Sequence, residues 1–273
     1  MSKVILITGA SSGIGKATAR QLKAAGNIVY GVSRRLDKMS DLQAEGIHTL
    51  QMDVTDEASM VNGVNHILNK EGKIDVLINN AGFGSYGALE DVPMQEAKYQ
   101  LEVNLFGAAR LIQLVLPSMI WHHYGKIVNI SSIGGKVAMA LGTWYHASKF
   151  ALEGLSDSLR NEVRQFGVDV IVIEPGGIKT EWAGIAADNL MNISGNGRYK
   201  EMATRFAAGI RGNITSSSAD PAVIADQIAT AITAEQPETR YAAGFMADEI
   251  LALRKTASDR ELDDIMHQQL NIL

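Results

Sequence analysis

Short runs of β-branched and aliphatic residues recur along this chain between longer segments of helical spacing, and that alternation constrains the fold more than any other feature. The runs are Val4–Ile7, Ile28–Val32, His48–Met52, Asp75–Ile78, Lys126–Ile130 and Val168–Ile173, each with the length and content of a buried strand. Between them lie helix starts and apolar spacing, as in Thr55-Asp56-Glu57 ahead of Met60, Val61, Val64, Ile67 and Leu68. Strand and helix in alternation predict a single α/β domain of Rossmann type, a doubly wound parallel sheet with helices on both faces. Such sheets bind ligands at the carboxyl ends of their strands, where strand order reverses. The residues that follow each run are therefore the candidates for chemistry.

Beyond Ile173 the pattern loosens into Pro175-Gly176-Gly177 and a polar, Gly-containing region to about Ser218, with helical spacing possible within Tyr199–Ile210. Residues 184–218 read as a lid over the site. Asp220-Pro221 reads as the cap and first turn of a helix through Ala234, and Arg240–Gly244 as a last strand. Leu251–Leu270 has the spacing of an amphipathic tail, within a helical C-terminal stretch 245–273. No repeat or linker divides the chain, so one domain spanning 1–273 is expected.

Composition excludes several functions. Twenty-five Lys and Arg stand against 30 Asp and Glu, a net charge of −5, which supplies no field to draw the chain to nucleic acid or anionic lipid. There is no cysteine, which removes disulfides, Cys-ligated zinc, iron–sulfur clusters and thiol catalysis together. A reducing, cytoplasmic setting is compatible with that. The 6 histidines form no ligand pattern, and the adjacent His122-His123 diverge on a helix, so no metal is expected. The most apolar stretch, Leu105–Trp121, is interrupted by Arg110, Gln113 and Pro117, so no membrane span is expected. Val4–Ile7 behind Lys3 is too short for a signal-peptide core and reads as the first strand.

Thr8-Gly9-Ala10-Ser11-Ser12-Gly13-Ile14-Gly15 directly follows that strand and opens a helical pattern through Leu22. Glycines at this spacing let backbone N–H groups approach a pyrophosphate at the positive end of the helix. A plain Gly-rich turn reads equally from the spacing alone, and its position after the first strand favours the nucleotide. The second strand ends in Ser33-Arg34-Arg35, where a free ribose 2′-hydroxyl would be met by a carboxylate. Guanidinium groups suit a 2′-phosphate, so NADP(H) is inferred over NAD(H), with Arg34 the better placed; without the loop, a solvated basic pair reads as well. Asp53-Val54 follows strand three, and Asp53 serves either an adenine amino group or the cap of the next helix. Asn79-Asn80-Ala81-Gly82 follows strand four.

Tyr145-His146-Ala147-Ser148-Lys149 puts a phenol and an ammonium on one helical face. A phenol near pKa ~10 is a poor acid–base group at neutral pH, and an adjacent cation lowers it. A surface pair is the alternative, weighed against by Ser132, which follows strand five and is placed to donate to a carbonyl oxygen. His146 points elsewhere by one helical step.

Together, Thr8-Gly9-x3-Gly13-Ile14-Gly15, Asn79 to Gly82, Asn104, Ser132, Tyr145-x3-Lys149 and Pro175-Gly176 resemble the short-chain dehydrogenase/reductase family, in order and spacing to about Thr180. The resemblance implies a catalytic tetrad. Tyr145 would be the general acid/base, Lys149 would bind the nicotinamide ribose and lower the phenol's pKa, Ser132 would orient the carbonyl, and Asn104 would hold a relay water. It further implies that Asn80, Ala81 and Gly82 support the cofactor wall, and that the Ile14 N–H meets the pyrophosphate. Pro175, Gly176, Ile178 and Thr180 would line the nicotinamide, with Thr180 on its carboxamide. Ser33-Arg34-Arg35 looks like the NADP-preferring members, and Tyr145–Arg160 like the branch near 17β-hydroxysteroid and retinol dehydrogenases. Members commonly pair through helices around Met94–Trp121 and Gly142–Gln165, which implies a homodimer or homotetramer; the stripe Leu105, Leu111, Ile112, Val115 fits core or interface.

Val137, Met139, Leu141 and Trp144, with Trp182 and Met191 from the lid, make a candidate apolar substrate wall, or else core and lid packing. The leading expectation is an NADPH-dependent reductase of apolar ketones or aldehydes, working by hydride transfer without a metal. A 3-oxoacyl thioester reductase is the alternative within enzymes, and the net acidity counts slightly against an acidic carrier. A non-turning-over NADP(H) sensor ranks last, because Tyr145 and Lys149 are both present.

Overall fold

The computed structural model describes residues 2–269. Seven parallel strands form one sheet in the order β3-β2-β1-β4-β5-β6-β7. They are β1 (Val4–Thr8), β2 (Ile28–Ser33), β3 (His48–Gln51), β4 (Val76–Asn79), β5 (Gly125–Ile130), β6 (Val168–Pro175) and β7 (Arg240–Ala243). The expected strands lie at these places, with ends displaced by one or two residues. Order reverses between β1 and β4, so a crevice opens at their carboxyl ends, just beyond Thr8 and Asn79.

Because strand side chains alternate, each central strand feeds two cores. Ile5 and Ile7 face one side with Ala19 and Leu22 of α1 (Gly13–Ala24), Leu42 of α2 (Ser40–Ala44) and the later helix residues Ile224, Ile228 and Ile232. Val4 and Leu6 face the other side with Met60, Val64 and Ile67 of α3 (Glu57–Glu71). There they also meet Leu111, Ile112, Val115 and Met119, so the stripe proposed as core or interface is core at Leu111, Ile112 and Val115.

Those residues belong to a longer helix than the sequence indicated. α4 (Met94–Leu101) continues through a π turn (Glu102–Phe106) into α5 (Gly107–Trp121). The resulting 28-residue helix is, by length and composition, apolar enough to cross a membrane. This corrects the reading that Arg110, Gln113 and Pro117 interrupt it, although one such helix is weak evidence when its apolar face lies on the sheet. α6 (Thr143–Val163) packs beside it and carries the Tyr145 and Lys149 face.

The region read as a lid, 184–218, lies in two helices, α7 (Glu181–Ser194) and α8 (Lys200–Ser216), the second at the helical spacing noted within Tyr199–Ile210. Thr180 caps α7, and Ala183, Ala186, Ala187 and Leu190 are buried at helical spacing. α9 (Pro221–Thr233) starts as expected, with the Asp220 carboxylate accepting from Ala222 N at 2.8 Å. The tail is likewise two helices, α10 (Ala247–Thr256) and α11 (Asp259–Gln269), broken at Ala257-Ser258. Leu270 to Leu273, the end of the expected stretch, lie outside the described residues.

Candidate active site

The crevice begins with glycines that nothing else can replace. Gly9 and Gly13 take positive φ of 68° and 53°, where a Cβ is strained. A Cβ on Gly15 would lie 2.4 Å from Asn80 Nδ2, and one on Gly13 3.0 Å from Thr180 Cγ2. The loop is held by Asn80, whose Nδ2 donates to Thr8 O at 2.9 Å, while Thr8 Oγ1 accepts from Asn80 N and Ala81 N at 3.0 and 2.9 Å. The first turn of α1 carries no acidic residue and no side-chain cap from Ser12. Its N–H donors and positive dipole end are thus available to a pyrophosphate, and the residues present fit a dinucleotide.

At the end of β2 the structure separates two neighbours that the sequence could not. Arg35 donates to Ser11 Oγ at 3.1 Å and Ser12 Oγ at 3.3 Å, beside the glycine loop, and Ser33 Oγ donates to Ser11 Oγ at 3.0 Å. Arg34 instead hydrogen-bonds the Tyr99 phenol of α4. The guanidinium beside the loop is that of Arg35, which also approaches Glu181 at 3.9 Å. Asp53 uses Oδ1 on Thr55 N and Oγ1, at 2.9 and 2.8 Å, and the cap of α3 is Asp56, not Asp53. Val54 backs onto Gly107, whose Cβ would lie 2.4 Å from Val54 O.

Across the crevice, Asn104 sits in the π turn, a distortion common at functional positions. Its Nδ2 donates to Phe83 O and Ser148 Oγ, both at 3.0 Å, and its Oδ1 accepts from Phe83 N at 3.1 Å. A Cβ on Gly82 would lie 3.3 Å from that Oδ1 and 3.8 Å from Lys149 Nζ. Asn104, Gly82, Ser148 and Lys149 thus share one wall. Pro175 ends β6, and Gly176 must be glycine because its Cβ would fall 2.3 Å from Phe245 O. Ile178 packs onto the core below, as Ile14 does.

Ser132 caps a short 3₁₀ turn after β5, with its Oγ accepting from Gly134 N at 2.9 Å. Burial pushes the Tyr145 phenol up to about 12, and hydrogen bonding from Ser132 opposes part of that rise. Lys149 Nζ donates to Ile130 O at 2.8 Å; burial pushes this ammonium down to about 8, with Glu153 holding it up. In the protein by itself, desolvation of the phenolate dominates the shift of Tyr145. His146 does turn from the crevice. Its Nδ1 meets Gly134 O at 2.9 Å and its Nε2 accepts from Met139 N at 3.1 Å, so it pins the loop behind Ser132.

Of the proposed substrate wall, Trp182 faces Tyr145 with ring centroids 5.3 Å apart, and Met139, Leu141 and Met191 share its cluster. Val137 does not join them. It is 2% exposed and packs against Ile250, Leu262 and Met266 of the tail. Trp144 is half-buried, one step from Tyr145, and stands outside the aromatic group. The sequence reading missed Tyr86 and Phe206: Tyr86 lies 5.6 Å from both the Tyr145 and Phe206 rings. Its signal was Gly84, where a Cβ would strike Trp182 and Tyr86.

A glycine loop at the strand reversal, facing a Ser–Tyr–Lys set whose Tyr145 and Lys149 are buried, is the site of a nucleotide-dependent oxidoreductase. The sequence pattern described as "short chain dehydrogenase" matches residues 3–189, and the chain belongs to the short-chain dehydrogenase/reductase family. It is 44% identical over 178 residues to the 3-ketodihydrosphingosine reductase of Bacteroides thetaiotaomicron, covering 65% of each chain, just under two thirds of that relative's length. It is 33% identical to the NADPH-dependent 3-dehydrocapnine reductase of Ornithobacterium rhinotracheale, over 98% of this chain and 97% of that one. A crystal structure of a short-chain dehydrogenase from Streptomyces avermitilis superposes with a TM-score of 0.81 at 34% identity, over 99% of this chain and 95% of the other.

Proposed function

We propose that this protein is an NADPH-dependent reductase of apolar ketones or aldehydes. The observation that carries the reading is the buried Tyr145 phenol, hydrogen-bonded by Ser132 and walled by Trp182 and Tyr86. An aromatic wall favours a hydrophobic carbonyl compound, and the two relatives named above are both reductases, one of them NADPH-dependent. Arg35 on the Ser11 and Ser12 hydroxyls supports a 2′-phosphate.

When bound, the nucleotide supplies a hydride to the carbonyl carbon. Gly9, Gly13 and Gly15 give backbone room for the pyrophosphate, and Arg35 holds the 2′-phosphate. Pro175, Gly176, Ile178 and Thr180 line the nicotinamide end. Ser132 donates to the carbonyl oxygen and aligns it with Tyr145, whose phenol stays protonated at neutral pH and gives up its proton to that oxygen as the alcohol forms. Lys149 would bind the nucleotide's ribose and steady the negative charge left on Tyr145, and Asn104 would order the path by which the phenol is reprotonated. Phe106, Trp121 and Phe150, exposed on the Met94–Trp121 helix and α6, support assembly into a homodimer or homotetramer. A cytoplasmic location belongs to the same proposal.

The test is NADPH oxidation, followed by nicotinamide absorbance, across ketones, aldehydes, 3-ketodihydrosphingosine and an acetoacetyl thioester. The expected result is turnover with an apolar carbonyl, with Tyr145→Phe lowering kcat by about 10²–10⁴-fold while NADPH still binds. Turnover confined to the thioester, or NADPH binding without any turnover, would sink the reading.

A further inference from the structure

Six charged side chains meet along the catalytic helix α6. Glu153 and Glu174 are each 4% exposed. Glu153 Oε2 pairs with Lys136 Nζ at 2.7 Å and Arg240 at 3.0 Å, and Glu174 Oε1 with Arg240 Nε at 3.2 Å and Lys136 Nζ at 3.6 Å. Arg240 continues to Asp157 at 2.7 Å, which also holds Arg160 at 2.8 Å. Fully buried carboxylates are costly unless paired in good geometry, so their presence here calls for a use.

The members come from the Ser132 turn, the catalytic helix, β6 and β7. Lys136 closes the 3₁₀ turn that Ser132 opens, and Glu174 immediately precedes Pro175. Glu153 lies one turn beyond Lys149 on α6, the spacing at which side chains are neighbours. Arg240 begins β7. We propose that Glu153 is a positioning residue for carbonyl reduction: its buried carboxylate ties the Ser132 turn and β7 to the catalytic helix and places a negative charge one helical turn from Lys149. The proposal rests on the reductase reading of the same site.

The titratable and charged groups around this pair are Tyr145, His146, Asp157 and Arg160 on α6, Lys136 from the turn, Glu174 from β6 and Arg240 from β7. His146 is committed to Gly134 O and Met139 N, and burial lowers it, so it carries no charge to the balance near neutrality. The acids and bases of the cluster offset one another, and Lys149 is the cation left over. Two substitutions then have opposite signs. Glu153→Gln removes the carboxylate and makes Lys149 lose its proton at lower pH; Lys136→Gln removes a competing cation and lets Lys149 keep its proton to higher pH.

The experiment is the pH profile of kcat/KM for the best ketone found with wild-type enzyme, for wild type, Glu153→Gln, Glu153→Asp and Lys136→Gln. The alkaline limb is expected to move down by about half to one pH unit in Glu153→Gln, return in Glu153→Asp, and move up in Lys136→Gln. Superimposable limbs, or limbs that move the same way in both Gln variants, would overturn the proposal. If Glu153→Gln does not fold, Lys136→Gln alone carries the test, since a purely structural role predicts no upward shift. Thermal stability against pH gives a readout without substrate: the rise in stability as Lys149 deprotonates should begin at lower pH in Glu153→Gln and at higher pH in Lys136→Gln. Should wild type reduce no carbonyl in the panel, the reductase reading fails, and this stability series still decides whether Glu153 governs Lys149.

Discussion

Tyr145 and Lys149 titrate in opposite directions for one reason. Burial disfavours the charged form of each, which takes the phenol up to about 12 and the ammonium down to about 8. In the proposed reduction the phenol would thus keep its proton, and Lys149 is expected to set the alkaline limit. The same shift is a cost to the fold. Lys149 falls from 10.5 to about 8 on folding, so between those values the unfolded chain binds more protons and stability rises with pH; below the folded value the penalty is fully present. Lys149→Met is expected to stabilise the protein without nucleotide by roughly 1–3 kcal/mol at neutral pH. The gain should fade by about pH 10.5, as measured by denaturant unfolding, while turnover is lost; an unchanged or lowered midpoint would refute it. At the other end of the crevice, Arg35→Ala is expected to weaken NADPH by about tenfold or more and leave NADH unaffected, with Arg34→Ala the milder change. Titration of both nucleotides by fluorescence checks the ordering.

Among the elements, what could be read from sequence was whatever a local rule enforces. The glycine loop is one such case, because Gly9 and Gly13 need positive φ and Gly15 has no room for a Cβ. The α9 start is another, through Asp220-Pro221. Arg34 and Arg35 were not separable, since what distinguishes them is Tyr99, supplied by a helix 65 residues away. Val137 and Trp182 look alike as apolar residues, and only the packing of the tail on one and of Tyr145 on the other divides them. Of the two lid helices, α8 showed in the helical spacing within Tyr199–Ile210, whereas α7 was not read, although Thr180-Glu181 marks its start. The break in the tail did have a signal: Ser258 and Glu261 form a reciprocal cap, with Ser258 N donating to Glu261 Oε2 at 2.8 Å and Glu261 N donating to Ser258 Oγ at 3.4 Å. Ser258→Ala should cost about 1 kcal/mol. Faster hydrogen exchange confined to α11 would locate that loss, and unchanged exchange there would count against the cap.

For the whole molecule, the sheet carries two cores and the site straddles its carboxyl edge, so assembly need not touch the chemistry. The exposed aromatic rings Phe106, Trp121 (82% exposed) and Phe150 lie on the helices of one face. Light scattering after size-exclusion chromatography is expected to give a dimer or tetramer; a monomer would refute the assembly. The charge cluster adds a consequence for biogenesis. Domains fold as the chain emerges from the ribosome, amino end first, and Arg240 is contributed by the last strand. Until residue 240 has left the exit tunnel, Glu153 and Glu174 share Lys136 as their partner within the cluster, two carboxylates to one ammonium. A nascent chain halted short of β7 therefore has its catalytic helix electrostatically unfinished, and it also lacks the Ala243 and Phe245 carbonyls that accept from Gly176 N and Gly177 N.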